Sequence, residues 1–427
     1  MQSSQRSAVM NFLNEVAERF PSAISLAAGR PTEVFFDRLH GQALVEAFAT
    51  YEESRATATQ GRSGKASLLQ YGRTAGLVAD MVAKQLRLDD GIDAAPEQLL
   101  ITAGCQEAIA LCLSALCTES SDVALALNPT YIGFTGAADT LRIPIEPLNA
   151  GHDIAAELEK KIGLLHSQHR RPRVLYLTPE FDNPTGCVID LDQRIALIDM
   201  CARHRIVILE DNPYGMFRYE GTAVPTMMSV DEHGCVIYLS TYSKTICPAL
   251  RVGAAVLPRR LFGDAEAAAK LHGDISQRKS FITVNTSQIA QAMVGGLLIK
   301  NAFSLRHWIA PAVDLYRTQR DAMLAELELA FGHDDASVSW NRPQGGFFLT
   351  LQLPFDFQEA DVINCATNYG VIVMPMAFFA FDESQNSRVR LAFSSGDATR
   401  IEEGVRRLAR YVVDRCDKAA TLAEAVA

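Results

Sequence analysis

Five short, mostly apolar runs recur between residues 99 and 239: Leu99-Leu100-Ile101-Thr102, Val123-Ala124-Leu125-Ala126-Leu127, Val174-Leu175-Tyr176-Leu177, Ile206-Val207-Ile208-Leu209 and Val236-Ile237-Tyr238-Leu239. Their length suits strands rather than helices. They do not alternate with polar residues, so both faces of each strand are expected to be buried. Helix-like segments, for example 105–117 and 191–204, separate most of them. Strands joined by helical crossovers run parallel. The pattern from about residue 75 to 260 therefore predicts an α/β fold with a mainly parallel sheet. Ligand sites in such sheets lie at the carboxyl ends of the strands.

The flanking segments read differently. Val9, Phe12, Leu13, Val16 and Phe20 form one helical stripe over residues 8–20, and residues 21–40, with Pro21, Gly29 and Pro31, read as an extended arm. Residues 52–66 are polar and read as loop. A long helical pattern over 303–331 can bridge two domains; strand-like runs at 346–351, 371–374 and 388–393 and a helix around 398–415 follow it, and the alanine-rich tail 418–427 is expected to fray. The predicted organisation is a helix and arm (1–45) joined to a small α+β domain (311–427), with a large α/β domain over 46–310. At 427 residues the chain exceeds one typical domain.

Composition narrows the function classes. Hydrophobic residues make up 48%, enough for a substantial core, yet no stretch reaches membrane-spanning length without charges. The N-terminal segment lacks the layout of a secretory signal, so a cytoplasmic location is expected. The nine cysteines show no CxxC pair and no zinc spacing, and read as reduced thiols. A net charge of -10 without a basic block disfavours nucleic acid as a partner.

The chemistry-bearing residues sit at predicted strand ends. Lys244 follows Val236–Leu239 in Thr241-Tyr242-Ser243-Lys244, and Arg251 comes seven residues later. A partly desolvated lysine can attack an aldehyde, while Thr241, Ser243 and Arg251 can hold phosphate oxygens. Gly104-Cys105-Gln106 follows the strand at 99–102 and opens a helix, whose N-terminus attracts an anion. Tyr131 follows the next strand and can stack on a flat heterocycle, or fill the core beside Pro129. Asn183-Pro184-Thr185-Gly186 can be a simple turn, or can present an amide to a phenolic oxygen. Asp211, followed by Tyr214, can pair with a pyridinium N–H or cap a helix. Arg390 shares a strand face with Arg388, and can grip a carboxylate or form a surface ion pair.

Taken together and in this order, these motifs resemble the pyridoxal-phosphate aminotransferases of fold type I, class I/II. Tyr71-Gly72 with Gly76, Gly104-Cys105-Gln106, Tyr131, Asn183-Pro184-Thr185-Gly186, Asp211, Tyr214, Ser243-Lys244 with Arg251, and Arg390 carry the likeness over roughly residues 20–415. The resemblance implies a seven-stranded, mainly parallel sheet in the large domain and pyridoxal 5′-phosphate as cofactor. It implies amino acid and 2-oxo acid substrates, and a homodimer with shared active sites. By the same resemblance, Lys244 is the Schiff-base lysine and proton shuttle, Asp211 pairs with the ring nitrogen, Asn183 and Tyr214 hold the phenolic oxygen, and Tyr131 stacks on the ring. Gly104, Cys105, Gln106, Thr241, Ser243 and Arg251 surround the phosphate, joined by Tyr71 of the neighbouring subunit. Arg390 binds the substrate carboxylate, with Gly29, Arg30 and Asn183 beside it. Within the family, Met10-Asn11-Phe12-Leu13-Asn14-Glu15 and Ser25-Leu26-Ala27-Ala28-Gly29-Arg30-Pro31 look like the dihydroxyphenylglycine transaminase branch.

The chain departs from the family pattern at Cys105, where serine or glycine is commoner, at Asp182, at Met374-Pro375-Met376, and after Gly76, where the usual Leu-Arg is lacking. These departures touch the substrate and the fate of the Cα carbanion. Transamination of an amino acid is the leading expectation, with an aromatic or non-proteinogenic donor in natural-product biosynthesis as one case. The same motifs would serve γ-elimination or carbon–carbon bond formation on S-adenosylmethionine, or amino acid oxidation. A transcriptional regulator carrying such a domain is disfavoured by the lack of a basic segment ahead of residue 20. Arg30, Phe35, Phe36, Met376, Phe378 and Phe379 are the expected substrate-facing residues.

Overall fold

The computed structural model describes residues 12, 15–55, 68–149, 151, 153–332 and 337–426. A central sheet contains β2 (Leu99–Thr102), β3 (Asp122–Asn128), β4 (Ile145–Asn149), β5 (Arg171–Leu177), β6 (Val207–Asp211), β7 (Val236–Thr241) and β8 (Gly253–Val256). The strand order is β2-β8-β7-β6-β5-β3-β4. From β7 to β4 every pairing is parallel, and only β8 runs antiparallel to its neighbours β7 and β2. The sheet is thus seven-stranded and mainly parallel, as expected. All residues of β2, β6 and β8 are buried, which is why their sequences carry no alternation.

Two of the seven strands escaped the apolar-run criterion. β4 is an edge strand, half-buried and containing Glu146 and Pro147, where a missing N–H can be tolerated. β8 is Gly-Ala-Ala-Val. Its small residues let the chain pass close to the site: a Cβ on Gly253 would meet the Ser240 carbonyl oxygen at 2.5 Å and the Cys105 nitrogen at 3.1 Å.

Helices cover both faces. Cys105–Leu116 and Leu191–His204 lie where the sequence placed them. Two apolar clusters flank the sheet: Leu100, Ile109, Leu113, Phe134 and Tyr176 lie in one, and Val123, Leu158, Leu197 and Ile208 in the other.

The arm contributes β1 (Ile24–Ser25), which pairs in parallel with β11 (Val371–Ile372). Within the described part of the 8–20 stripe, residues 15–19 are helical and Val16 is buried; Val9 and Leu13 lie outside the described residues. The helix Gly41–Arg55 extends into the segment read as loop from residue 52, and residues 56–67 are outside the described ones. The long helix Arg306–Phe331 leads to a four-stranded antiparallel sheet, order β12-β13-β10-β9, of β9 (Ser339–Trp340), β10 (Phe348–Gln352), β12 (Met374–Pro375) and β13 (Arg388–Ala392). The single run expected over 371–374 is therefore split between two sheets at Val373. The closing helix Ala398–Val426 runs on through the tail expected to fray. Among the described residues no helix is long and apolar enough to cross a membrane.

Candidate active site

The carboxyl ends of β5, β6 and β7 open into a cavity of about 860 Å³, which the arm, the Arg306–Phe331 helix and the four-stranded sheet also line. Lys244, Asp211, Tyr214, Asn183, Tyr131, Cys105, Gln106, Thr241, Ser243, Arg251, Arg390, Gly29 and Arg30 all border it.

Lys244 lies just beyond the end of β7. Its Nζ donates to the Gly29 carbonyl at 3.0 Å. Burial, and then the positive charges of Arg390 and Arg251, push its ammonium down to about 8, against the pull of Asp211. A lysine in that range reaches its neutral, nucleophilic form near physiological pH.

Asp211 ends β6 and is buried. The Cys105 thiol donates to Oδ1 at 3.0 Å and the Tyr176 hydroxyl to Oδ2 at 2.6 Å. Burial pushes the carboxyl up; the two donors and the charge of Lys244 pull it back down.

The anion cup is built on the turn into the helix Cys105–Leu116. Gly104 sits at φ +77°, in the left-handed region that favours glycine, and the helix start has no side-chain cap. A Cβ on Gly104 would meet Arg251 Nη2 at 2.3 Å, so the glycine lets the guanidinium lie against the turn. Arg251 Nη1 donates to Ser243 Oγ at 2.8 Å, and Thr241 Oγ1 lies 3.1 Å from Ser243 Oγ. Uncapped helix N–H groups, two hydroxyls and a guanidinium are a donor set for a phosphate. Glu107 braces the turn by accepting from the Ala103 N–H at 2.6 Å, and is itself paired with the buried Lys279 at 2.8 Å. The Glu107–Lys279 brace was not read from the sequence, where the pair lies 172 residues apart.

On the opposite wall Arg390, from β13, has its guanidinium carbon 4.1 Å from the Phe348 ring centre and 4.9 Å from that of Phe379. It donates to Asn183 Oδ1 at 2.6 Å and to the Ala27 carbonyl at 2.5 Å. Its Nε is buried without a hydrogen-bond partner. Burial draws the guanidinium down to about 10, opposed by Tyr214, Tyr131 and Asp182. A buried guanidinium without a carboxylate partner among the described residues, bordering a cavity, suits an anion. Arg388, by contrast, is exposed and donates to Gln352.

Several expectations change. Asp182 does not border the cavity: it accepts from Thr185 N at 3.2 Å and Thr185 Oγ1 at 2.7 Å, holding its own turn in shape. Burial nonetheless raises its carboxyl to about 6. Phe35, Phe36, Met376 and Phe378 do not border the cavity, whereas Phe379 and Met374 do. Met376 and Phe378 pack in the core of the C-terminal sheet. Tyr71 lies outside its own chain's cavity and is 80% exposed. Tyr176 and Phe348 were passed over in the sequence because a buried aromatic within a strand looks like ordinary core.

A buried carboxylate at one strand end, a depressed lysine at the next, an anion cup between them and a carboxylate-gripping arginine opposite define a pyridoxal-phosphate enzyme of fold type I. Residues 42–408 match the family "Aminotransferase class I and II". The chain is 38% identical over 412 residues to the (S)-3,5-dihydroxyphenylglycine transaminase of Amycolatopsis orientalis, covering 95% of this chain and 91% of that one. It is 28% identical over 361 residues to aromatic-amino-acid aminotransferase 1 of Thermococcus litoralis, covering 83% and 82%. Among solved structures, the multiple substrate aminotransferase of Thermococcus profundus superposes with a TM-score of 0.81 at 25% identity, covering 96% and 95%. The chain belongs to the class I and II aminotransferases, transfers an amino group between an amino acid and a 2-oxo acid, and uses pyridoxal phosphate.

Proposed function

We propose that the amino donor is an amino acid with an aromatic side chain close to Cα, of the phenylglycine type, and that the enzyme serves natural-product biosynthesis. The observation that carries this reading is the Arg390 wall. The Arg390 guanidinium borders the cavity and can take the α-carboxylate, while Phe348, Phe379, Ile132, Ile372 and Met374 give the adjoining space an apolar lining. Those surfaces suit an aryl group. The similarity to a transaminase named for a dihydroxyphenylglycine adds support.

The cofactor supplies the aldehyde that accepts the amino group, and a ring that takes up the electrons of the Cα–H bond. The chain's own residues do the rest. Lys244 would hold the cofactor at its aldehyde and carry a proton at Nζ, with the Gly29 carbonyl steering the amine. Asp211 would pair with the ring N–H. Asn183 and Tyr214 would hold the phenolic oxygen, and Asn183, Gly29 and Arg30 would frame the substrate beside Arg390. Tyr131 would cover the ring face, and Gly104, Cys105, Gln106, Thr241, Ser243 and Arg251 would hold the phosphate.

The active assembly is a cytoplasmic homodimer in which Tyr71 reaches the partner's phosphate cup. The support is that Leu69, Tyr71, Phe281 and Ile282 are 78%, 80%, 81% and 67% exposed on a single chain, an apolar cost that a second copy would remove. Residues 46–310 form the large cofactor domain, and 311–427 with the arm 1–45 form the small one.

The test is a panel of amino acids with 2-oxoglutarate, read as glutamate formation. Phenylglycines and their ring-hydroxylated forms are expected to give the highest kcat/KM. A clear preference for short aliphatic or acidic donors would overturn the substrate assignment. Release of methylthioadenosine from S-adenosylmethionine, without oxo-acid formation, would overturn transamination itself.

A further inference from the structure

We propose that Tyr176 is a positioning residue which, together with Cys105, clamps the Asp211 carboxylate in the orientation that pairs with the cofactor ring nitrogen. Neither side chain needs to touch the reacting bond to do so.

The geometry begins with strand register. Tyr176 of β5 pairs with Leu209 of β6. Side chains two apart share a face, so Asp211 stands one step further along the face that Tyr176 occupies. The phenol spans that step and donates to Oδ2 at 2.6 Å, a short, charge-assisted bond. Its ring is fixed by Phe134, stacked at 4.3 Å and 10°. Thr178 Oγ1 lies 3.4 Å from the same phenolic oxygen and donates to it, so the phenolic hydrogen is directed to Asp211. Cys105 meets the other oxygen, Oδ1, at 3.0 Å from the phosphate turn.

A carboxylate has about four lone-pair sites on its two oxygens. One on each oxygen is taken, by donors on different elements, which sets the carboxylate plane and leaves a site on each for the ring N–H. The thiol that departs from the usual serine or glycine thus has a partner of its own.

Two consequences follow from losing the phenol. The carboxylate gains freedom to rotate, and with one donor fewer it becomes a stronger base. Both draw positive charge away from the ring nitrogen. A less positive ring nitrogen lets the Lys244 nitrogen keep its proton to higher pH.

The experiment uses the cofactor-loaded enzyme and needs no substrate, so its outcome is independent of the donor proposed above. In Tyr176→Phe the pH midpoint of the visible absorption change is expected to move upward, and the Kd for pyridoxal phosphate to rise about tenfold. Cys105→Ala should shift the midpoint the same way by less, and Cys105→Ser should restore it, since a hydroxyl donates where the thiol did. Thr178→Val, which removes the donor that directs the phenolic hydrogen but keeps the phenol, should shift the midpoint the same way by less than Tyr176→Phe. A folded Tyr176→Phe enzyme with the wild-type midpoint and a Kd within about twofold of wild type would overturn the proposal. Should that variant fail to fold, the cysteine pair decides: equal midpoints for wild type and Cys105→Ala overturn it, and a shift reversed by serine supports it.

Discussion

Glu210 and Asp211 are neighbours on one strand, both buried, both with carboxyls pushed up by burial, the former to about 7. Strand alternation sends them to opposite faces. Glu210 accepts from the Met227 and Met228 N–H groups, each at 2.8 Å, and so caps the start of the short helix Met227–Val230. Two buried arginines repeat the contrast. Arg194 is fully inaccessible and bonds Ile189, Pro225 and Pro179 carbonyls and the Glu180 carboxylate, using all three nitrogens. Arg390 leaves Nε unpaired at the cavity wall. Burial is common to both regions, and it pushes up both carboxyls. What separates the two members of each pair is where they point: Asp211 and Arg390 border the cavity, and Glu210 and Arg194 do not.

That contrast can be broken experimentally. Asp211→Asn is expected to lower turnover by about 10²–10³-fold, the scale for losing one preorganised electrostatic partner. Glu210→Gln should leave turnover and the visible spectrum of the loaded enzyme near wild type. Comparable losses in both variants, measured as kcat with cofactor content, would erase the distinction. Next in size, Arg390→Lys should reduce kcat/KM by about 10²-fold, because a lysine cannot reproduce the planar fork. Arg194→Lys should instead appear in thermal unfolding, with kcat/KM for the folded fraction unchanged.

A third comparison sets Lys244 against an ordinary lysine. Its amine titrates near 8 rather than 10.5. Reconstitution of the apoenzyme should therefore quicken about tenfold per pH unit below 8 and level off above it. Stopped-flow absorbance against pH reads this directly, and a rate still climbing at pH 10 would contradict it. The smallest effect concerns Glu210. Its folded carboxyl lies above the unfolded value of 4.5, so its contribution to stability is complete below about 4.5 and is lost as pH rises through about 7. The stability of wild type relative to Glu210→Gln should fall over that window, in denaturant titrations at several pH values.

Much of this was legible before the fold was known, and unevenly so. The central strands announced themselves because both faces are buried, so an unbroken apolar run suffices. β4 did not, being a half-exposed edge strand with a proline, and β8 hid behind glycine and alanine. The chemistry at Lys244, Asp211 and Asn183 near strand ends, and at Arg390 within β13, was readable because function there demands polar residues where packing alone would not place them. Tyr176 was invisible for the converse reason, since a phenol inside an apolar strand looks like filling. Asp182 looked like a departure near the substrate, and its role as a turn cap depends on the local backbone path around Thr185. The Lys279–Glu107 brace depends on a contact no local pattern encodes.

The strand Ile24–Ser25 is held by Val371–Ile372, and Ala27 and Gly29 receive hydrogen bonds from Arg390 and Lys244. The cover over the reactive amine is therefore made from residues 24–29, but it is pinned by residues made well after Lys244. During translation the large sheet can form while the lysine still lies open to the cell's aldehydes. The pocket closes only once residues 371–390 have been made, so until then the amine is exposed with nothing ready to guard it.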